Sequence, residues 1–187
     1  MSFRTEDIGI KPIARVVVAA THGSVPREVG AAMLVSESNV TGTIGGGALE
    51  FQAIERAHDV LQTGKDRLDR LPLGPSLGQC CGGAVTLLTE VWDTTRLGDV
   101  DDIVARPLPG QPGEQPLSVK RILAHARNSG IVPEPGIVDG WMVEPVAKPK
   151  REVWVWGAGH VGRALVNVLA PLPDLHVRWA DNGQDRF

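Results

Sequence analysis

The sequence predicts an α/β fold in three stretches. These are an N-terminal α/β domain over residues 1–95, a Pro/Gly-rich linker with one helix over 96–150, and a C-terminal β-α-β unit over 151–187. Three observations carry this. Ile13 to Thr21, IARVVVAAT, is β-branched and apolar and reads as a mostly buried strand. Phe51, Ile54, Ala57 and Leu61 recur at helical spacing directly after a triple glycine. From Glu152 the chain reads strand, glycine turn, helix and second strand.

Taken in order, His22 to Gly30 is a loop by its Gly and Pro content, and Ala31 to Ser36 and Val40 to Ile44 are two short strands around a polar turn. A helix follows from about Ala48 to Thr63, with Gly64 where a C-terminal cap is expected. Leu73 to Gly83 is a glycine-rich loop, and Ala84 to Trp92 a strand. Eight of the chain's 14 prolines fall between Arg96 and Lys150, a linker composition. One helix interrupts it, Ser118 to Asn128, with Ser118 as N-cap and Gly130 near its end. Trp154, Trp156 and Trp179 fall on strands and are expected in the core.

Bulk properties narrow the function classes. The 187 residues carry a net charge of −3 with 42% hydrophobic side chains, enough for a core and without a long run of one sign. Neither nucleic acid nor an anionic membrane is expected as a partner. No apolar run approaches the roughly 20 residues that span a bilayer. The polar, acidic start does not read as a signal peptide, so the expected location is cytoplasmic.

The two cysteines are adjacent, Cys80 and Cys81, with Gly78, Gly82 and Gly83 around them. Neighbouring Cα atoms lie about 3.8 Å apart, closer than the roughly 4.4–6.8 Å of a relaxed disulfide. The spacing is also not that of a closed zinc site. Two readings remain open: small buried hydrophobes before a strand, or thiols on a backbone-exposed loop, suited to a soft metal.

Two glycine constellations stand out. Gly45, Gly46 and Gly47 bare backbone N–H groups at a helix start, an arrangement that takes anions. Glu50, in the first helical turn, suits capping or a ligand's amino groups. Arg27, in the preceding loop, suits a bidentate phosphate contact or plain solvation. His22 has no partner motif and reads as structural. Gly157, Gly159 and Gly162 form G-x-G-x-x-G between strand and helix, with Asp181 about 20 residues on at the end of the next strand. This is the context of a Rossmann dinucleotide fingerprint, with Asp181 placed for the ribose hydroxyls of NAD; the alternative is a turn kept for helix–strand packing. One β-α-β unit is below the roughly 40 residues that are stable alone. Its open edges lead to the expectation of a homodimer or a poorly ordered tail.

Three motifs taken together resemble one family: ATHGSVPREVGAAMLV with GTIGGGALE, then LGPSLGQCCGG, then WVWGAGHVG. The sequence is similar to the xanthine dehydrogenase accessory proteins, in a molybdenum-cofactor chaperone family that includes carbon monoxide dehydrogenase accessory proteins. The match covers about residues 13–92 and 151–187. The resemblance implies a non-enzymatic protein that binds molybdenum cofactor (molybdopterin). It would protect the cofactor while a cysteine desulfurase installs the terminal sulfido ligand, and deliver it to the molybdenum subunit of xanthine dehydrogenase. By position, Cys81 matches the cysteine shared across the family and Cys80 that of the xanthine dehydrogenase branch. Ala48 stands where other branches often carry cysteine. Gly45–Gly47 and Arg27 would then suit the cofactor's phosphate, Glu50 its pterin, and Cys80 and Cys81 its metal end. The chain departs from the family in its proline-rich middle and in carrying only the first β-α-β of a Rossmann domain. The competing reading is an NAD-dependent oxidoreductase built on Gly157, Gly159, Gly162 and Asp181; it leaves the cysteine loop unexplained.

Overall fold

The strand Ile13–His22 (β1) is the element on which the larger part of the chain is built. The structure, a computed structural model, describes residues 3, 5, 8–74, 82–97, 102–147, 151–172 and 175–183. They form a mixed α/β fold with four helices, divided into two units, Met1–Val146 and Ala147–Phe187.

In the first unit β1 pairs on one side with Ala32–Val35 (β2), which pairs with Val40–Gly42 (β3). On its other side β1 pairs with Ala84–Trp92 (β5), which pairs with Arg67–Pro72 (β4). The result is an antiparallel five-stranded sheet of order β3-β2-β1-β5-β4. Because side chains alternate along a strand, β1 feeds two cores. Ala14, Val16 and Val18 pack with Leu49, Ala53 and Ala57 of the helix Gly47–Thr63 (α1). Val17 and Ala19 pack on the opposite face with Leu88, Leu108 and Met142. The continuous apolar run of β1 is thus buried from both sides, as its composition predicts.

The buried stripe of α1 is Leu49, Ala53, Ala57 and Val60, and Gly64 closes the helix in the left-handed conformation at φ 66°. Ala57 was expected on this face. Phe51 was too, but it is 73% exposed. Two residues beyond Leu49, it lies roughly 200° around the helix. The small alanines let the helix sit close to the sheet.

Residues 96–150 depart most from expectation. Besides the short helix Thr94–Leu97 (α2), this stretch holds the strands Ile103–Pro107 (β6), Gly136–Val138 (β7) and Trp141–Pro145 (β8). They form an antiparallel sheet of order β6-β8-β7. Residues 102–146 are therefore a folded layer rather than a linker. Asp139 and Gly140, at φ 45° and 78°, make a two-residue hairpin turn between β7 and β8. Asp-Gly between apolar runs is the sequence signal for such a turn. The helix Leu117–Ser129 (α3) covers this sheet through Val119, Ile122 and Leu123. It ends on Gly130 at φ 70° as expected, but its N-cap is Pro116 and not Ser118. The Ser118 hydroxyl donates instead to Asp139 Oδ2 at 2.6 Å, tying the helix to the hairpin.

The two sheets of this unit are joined by buried charge. Arg15 of β1 donates to both oxygens of Glu144 on β8, at 2.8 and 2.9 Å. Arg106 of β6 donates to Glu90 of β5 at 2.6 Å and pairs with Glu144 at 2.6 Å. All four side chains are buried, and the Phe3 ring lies under both guanidinium groups.

The second unit is the β-α-β read from sequence: Arg151–Trp156 (β9), His160–Leu169 (α4) and Leu175–Ala180 (β10), with β10 parallel to β9. Trp154 and Trp156 are not core residues. They are 51% and 76% exposed and stack on one another at 5.7 Å. Residues 154 and 156 share one face of the strand, whereas Val155, between them, is buried. Among the described residues, no helix is long and apolar enough to cross a membrane.

Candidate functional site

The antiparallel pairing of the five-stranded sheet brings three sequence motifs to one edge. His22, where β1 ends, is paired with Ala84, where β5 begins, and Ala84 with Pro72, where β4 ends. On the other side β2 begins at Ala32, beside Val17, and β3 ends at Gly42, beside Met33. The loops over 23–31 and 43–46 and the two described ends of the 73–83 segment therefore all lie at the same edge. One core cluster anchors them, containing Ile44, Leu49 and Leu73 with Val25 packed against it.

The loops also touch directly. The Gly83 N–H donates to the Ser24 carbonyl at 3.1 Å, and the Gly83 carbonyl accepts from the Leu73 N–H at 2.8 Å. A Cβ on Gly83 would lie 2.3 Å from the His22 oxygen and 2.4 Å from that of Ser24, so only glycine allows this approach. A Cβ on Gly45 would lie 2.4 Å from Pro26. By contrast, a Cβ on Gly46, Gly47 or Gly82 would meet nothing within 4 Å. Among the described residues, nothing fills the space beside the backbone at these three positions.

The glycine turn already holds a carboxylate. Glu50 Oε1 accepts from the Ile44 N–H at 2.8 Å, from the Gly45 N–H at 3.2 Å, and from the Thr43 hydroxyl at close range. Burial pushes the Glu50 carboxyl up. The hydrogen bonds from Thr43, Ile44, Gly46 and Gly45 outweigh it and hold the group below its ordinary value. The Glu50 carboxylate thus binds the residues that lead into α1. Arg27 is engaged as well: its Nε and Nη2 donate to Glu28 at 3.2 and 3.1 Å. The hydrogen bond from Arg27 pulls the Glu28 carboxyl down to about 2, and in return Glu28 holds the guanidinium more firmly protonated.

Of the residues singled out from sequence, Gly45, Gly46, Gly47, Glu50 and Arg27 are thus brought together beside the base of the cysteine segment. His22 is exposed at the same edge. Cys80 and Cys81, the expected metal ligands, lie outside the described residues. Among the described residues no cluster of three or more His, Cys, Asp and Glu could hold a metal. Sequence reasoning missed Thr43, Pro26 and Ser24. Thr43 had a signal, a hydroxyl residue just before the glycine turn with a carboxylate seven residues on.

The second glycine constellation belongs to the other unit. Gly157 adopts φ 100°, and a Cβ on Gly162 would lie 1.8 Å from the Gly157 oxygen. The third glycine is therefore needed for the helix to approach the turn. Gly159 is the N-cap of α4. Asp181 reaches back to this turn: its Oδ2 accepts from the Ala158 N–H at 2.6 Å and its Oδ1 from the Gly183 N–H at 2.7 Å.

Comparison with known proteins places the first of these regions. Residues 10–72 match the model of the XdhC and CoxI family. That stretch holds β1, the glycine turn and α1, and stops at the cysteine segment. The chain is also 31% identical over 84 residues to the Escherichia coli (strain K12) protein described as uncharacterized protein YqeB, covering 43% of this chain and 16% of that one. A solved structure described as a xanthine dehydrogenase from Bacillus halodurans superposes with a TM-score of 0.56 at 19% identity. It covers 92% of this chain and 64% of its own, and at that identity it speaks for the fold alone. The chain spans about a sixth of the curated relative and about two thirds of the solved one. Together these findings bear out the resemblance to xanthine dehydrogenase accessory proteins and the α/β fold class.

Proposed function

We propose that this protein binds molybdenum cofactor and serves in the maturation of a xanthine dehydrogenase. It would hold the cofactor while a cysteine desulfurase sulfurates it and then pass it to the molybdenum subunit of the apo-enzyme. The observation that carries this reading is the convergence of the 23–31 and 43–46 loops, within the region that matches the family, on the sheet edge where the described ends of the 73–83 segment, Leu73 and Gly83, also meet. Open space beside Gly46, Gly47 and Gly82 offers a cradle of bare backbone for a flat or phosphorylated ligand. The helix N-terminus at Gly47 favours the negative end of such a ligand. Cys80 and Cys81 would meet its metal end, and Arg27 would add a cation at the rim. The cofactor itself supplies a metal bound to sulfur. This chain would supply a site that excludes water and orients it, without a catalytic acid, base or nucleophile of its own. A homodimer in the cytoplasm is part of the same proposal, and size measurement in solution tests that part.

Molybdenum and pterin analysis of protein purified from cofactor-competent cells tests the central claim. The Cys81→Ala variant is expected to lose most of the bound cofactor at unchanged circular dichroism, since exchanging a small thiol for a methyl costs only about 1 kcal/mol. Wild-type loading in the variant would remove Cys81 from the site. An NAD titration run beside it bears on the oxidoreductase reading, which predicts a rise in melting temperature that Asp181→Ala abolishes.

A further inference from the structure

We infer that Glu50 is a positioning residue: it fixes the glycine turn and, through it, the base of the cysteine-bearing segment, and it does not contact the ligand. Its functional meaning rests on the cofactor-binding reading above. Gly45, Gly46 and Gly47 stand at φ 131°, 82° and 62°, three consecutive positive values. Glycine adopts these without strain, but it also loses the most conformational freedom on folding, so a turn of this kind needs something to hold it. The Glu50 carboxylate supplies that. It gathers the Thr43 hydroxyl and the N–H groups of Ile44 and Gly45 on one oxygen, and the Thr43 hydroxyl oxygen takes a second bond from the Gly45 N–H at 3.2 Å. Bonds from N–H and O–H donors to a carboxylate are the strong kind.

Holding the turn seats Gly45 against Pro26, where no Cβ would fit. Pro26 stands two residues from Ser24, whose carbonyl accepts the Gly83 N–H. Gly83 in turn is wedged between His22 and Ser24 and accepts from Leu73, closing both ends of the 73–83 segment on one point. The path from Glu50 runs by hydrogen bonds to Thr43–Gly45, by close approach of Gly45 to Pro26, along the chain to Ser24, and by hydrogen bonds on to Gly83 and Leu73. A phosphate entering the turn would have to displace a carboxylate held by several hydrogen bonds. The ligand's place is therefore outside the carboxylate's grip, on the side of Gly46, Gly47 and Gly82 where an added Cβ would meet no described atom within 4 Å.

Amide hydrogen exchange followed by NMR on the full chain tests this with two variants. Glu50→Ala should speed exchange at Ile44 and Gly45 about tenfold or more, and should do the same at Gly83, which Glu50 never touches. Glu50→Gln, which keeps length and an acceptor oxygen, should restore most of the protection and stands in where Glu50→Ala does not fold. The Gly130 amide at the end of α3 should not move. A plain helix cap would change Ile44 and Gly45 and leave Gly83 alone, and that result overturns the proposal. Molybdenum loading should fall several-fold in Glu50→Ala and recover in Glu50→Gln; a Gly83 response with unchanged loading would also overturn the positioning role. If the wild-type protein carries no molybdenum or pterin, the cofactor reading fails, while Gly83 exchange still decides whether Glu50 positions the segment.

Discussion

Glu144 shows how a single residue can carry the joint between two layers. It lies on β8, 129 residues from Arg15, and is shared by Arg15 and Arg106. Removing one member of such a buried set strands the others, at about 3–5 kcal/mol. Glu144→Ala should therefore lose most of the stability of the first unit in urea, whereas Arg15→Met with Glu144→Leu should cost far less. Equal losses would argue against stranded charge as the cause. The same residue sets a pH dependence. Burial pushes the Glu144 carboxyl up, and the charges of Arg15 and Arg106 outweigh it and hold it below the ordinary carboxylate range. In the unfolded chain it titrates at about 4.3. As pH falls, the unfolded state takes the proton first. The stabilisation is thus complete above about pH 5 and is lost as pH drops through the lower folded value. The melting temperature should stay level from pH 7 to about 5 and then decline, with a shallower acid limb in Glu144→Gln.

At the scale of elements, α1 is decided by small residues and not by its largest one. Ala53 and Ala57 are buried at the sheet, and Phe51 faces solvent. Phe51→Ser should change stability by no more than about 0.5 kcal/mol. Ala53→Leu adds volume where the helix and sheet already touch and should cost about 1–3 kcal/mol. Thermal melts of the two variants check this, and a large loss from Phe51→Ser would mean that α1 presents a different face. The contrast matters for the site, because α1 carries Glu50 on its first turn and sets where the glycine turn lies against the Pro26 loop.

For the whole molecule, the two units have separate interiors. The first is built on β1, with the five-stranded sheet between α1 on one side and the three-stranded sheet on the other. In the second, Val155, Ala158 and Leu175 are the buried hydrophobic residues among those described. A chain ending at Val146 should melt at the temperature of the main transition of the full chain and keep its molybdenum loading, because the three converging loops are all in the first unit. Loss of loading on truncation, with the melt unchanged, would assign part of the site to residues 147–187.

Much of this was legible one element at a time. The strand Ala84–Trp92, the helix after Gly45–Gly47, the caps at Gly64 and Gly130, and the strand–turn–helix at Gly157–Gly162 depend on residues a few positions apart, and their patterns are local. The three-stranded sheet was hidden by prolines that stand in its loops and at its strand ends, although Asp139-Gly140 marked its hairpin. By itself the sequence determined where β1, β2, β5, α1 and the strand–turn–helix of the second unit form, and which family's motifs they carry. Only the tertiary structure decided that 102–146 is a layer of the first unit, that Phe51 and Trp156 face water, and that Glu50 occupies the glycine turn. Each of those depends on which distant surface or donor arrives to cover a side chain, as Glu144 arrives to cover Arg15, and no local pattern encodes that.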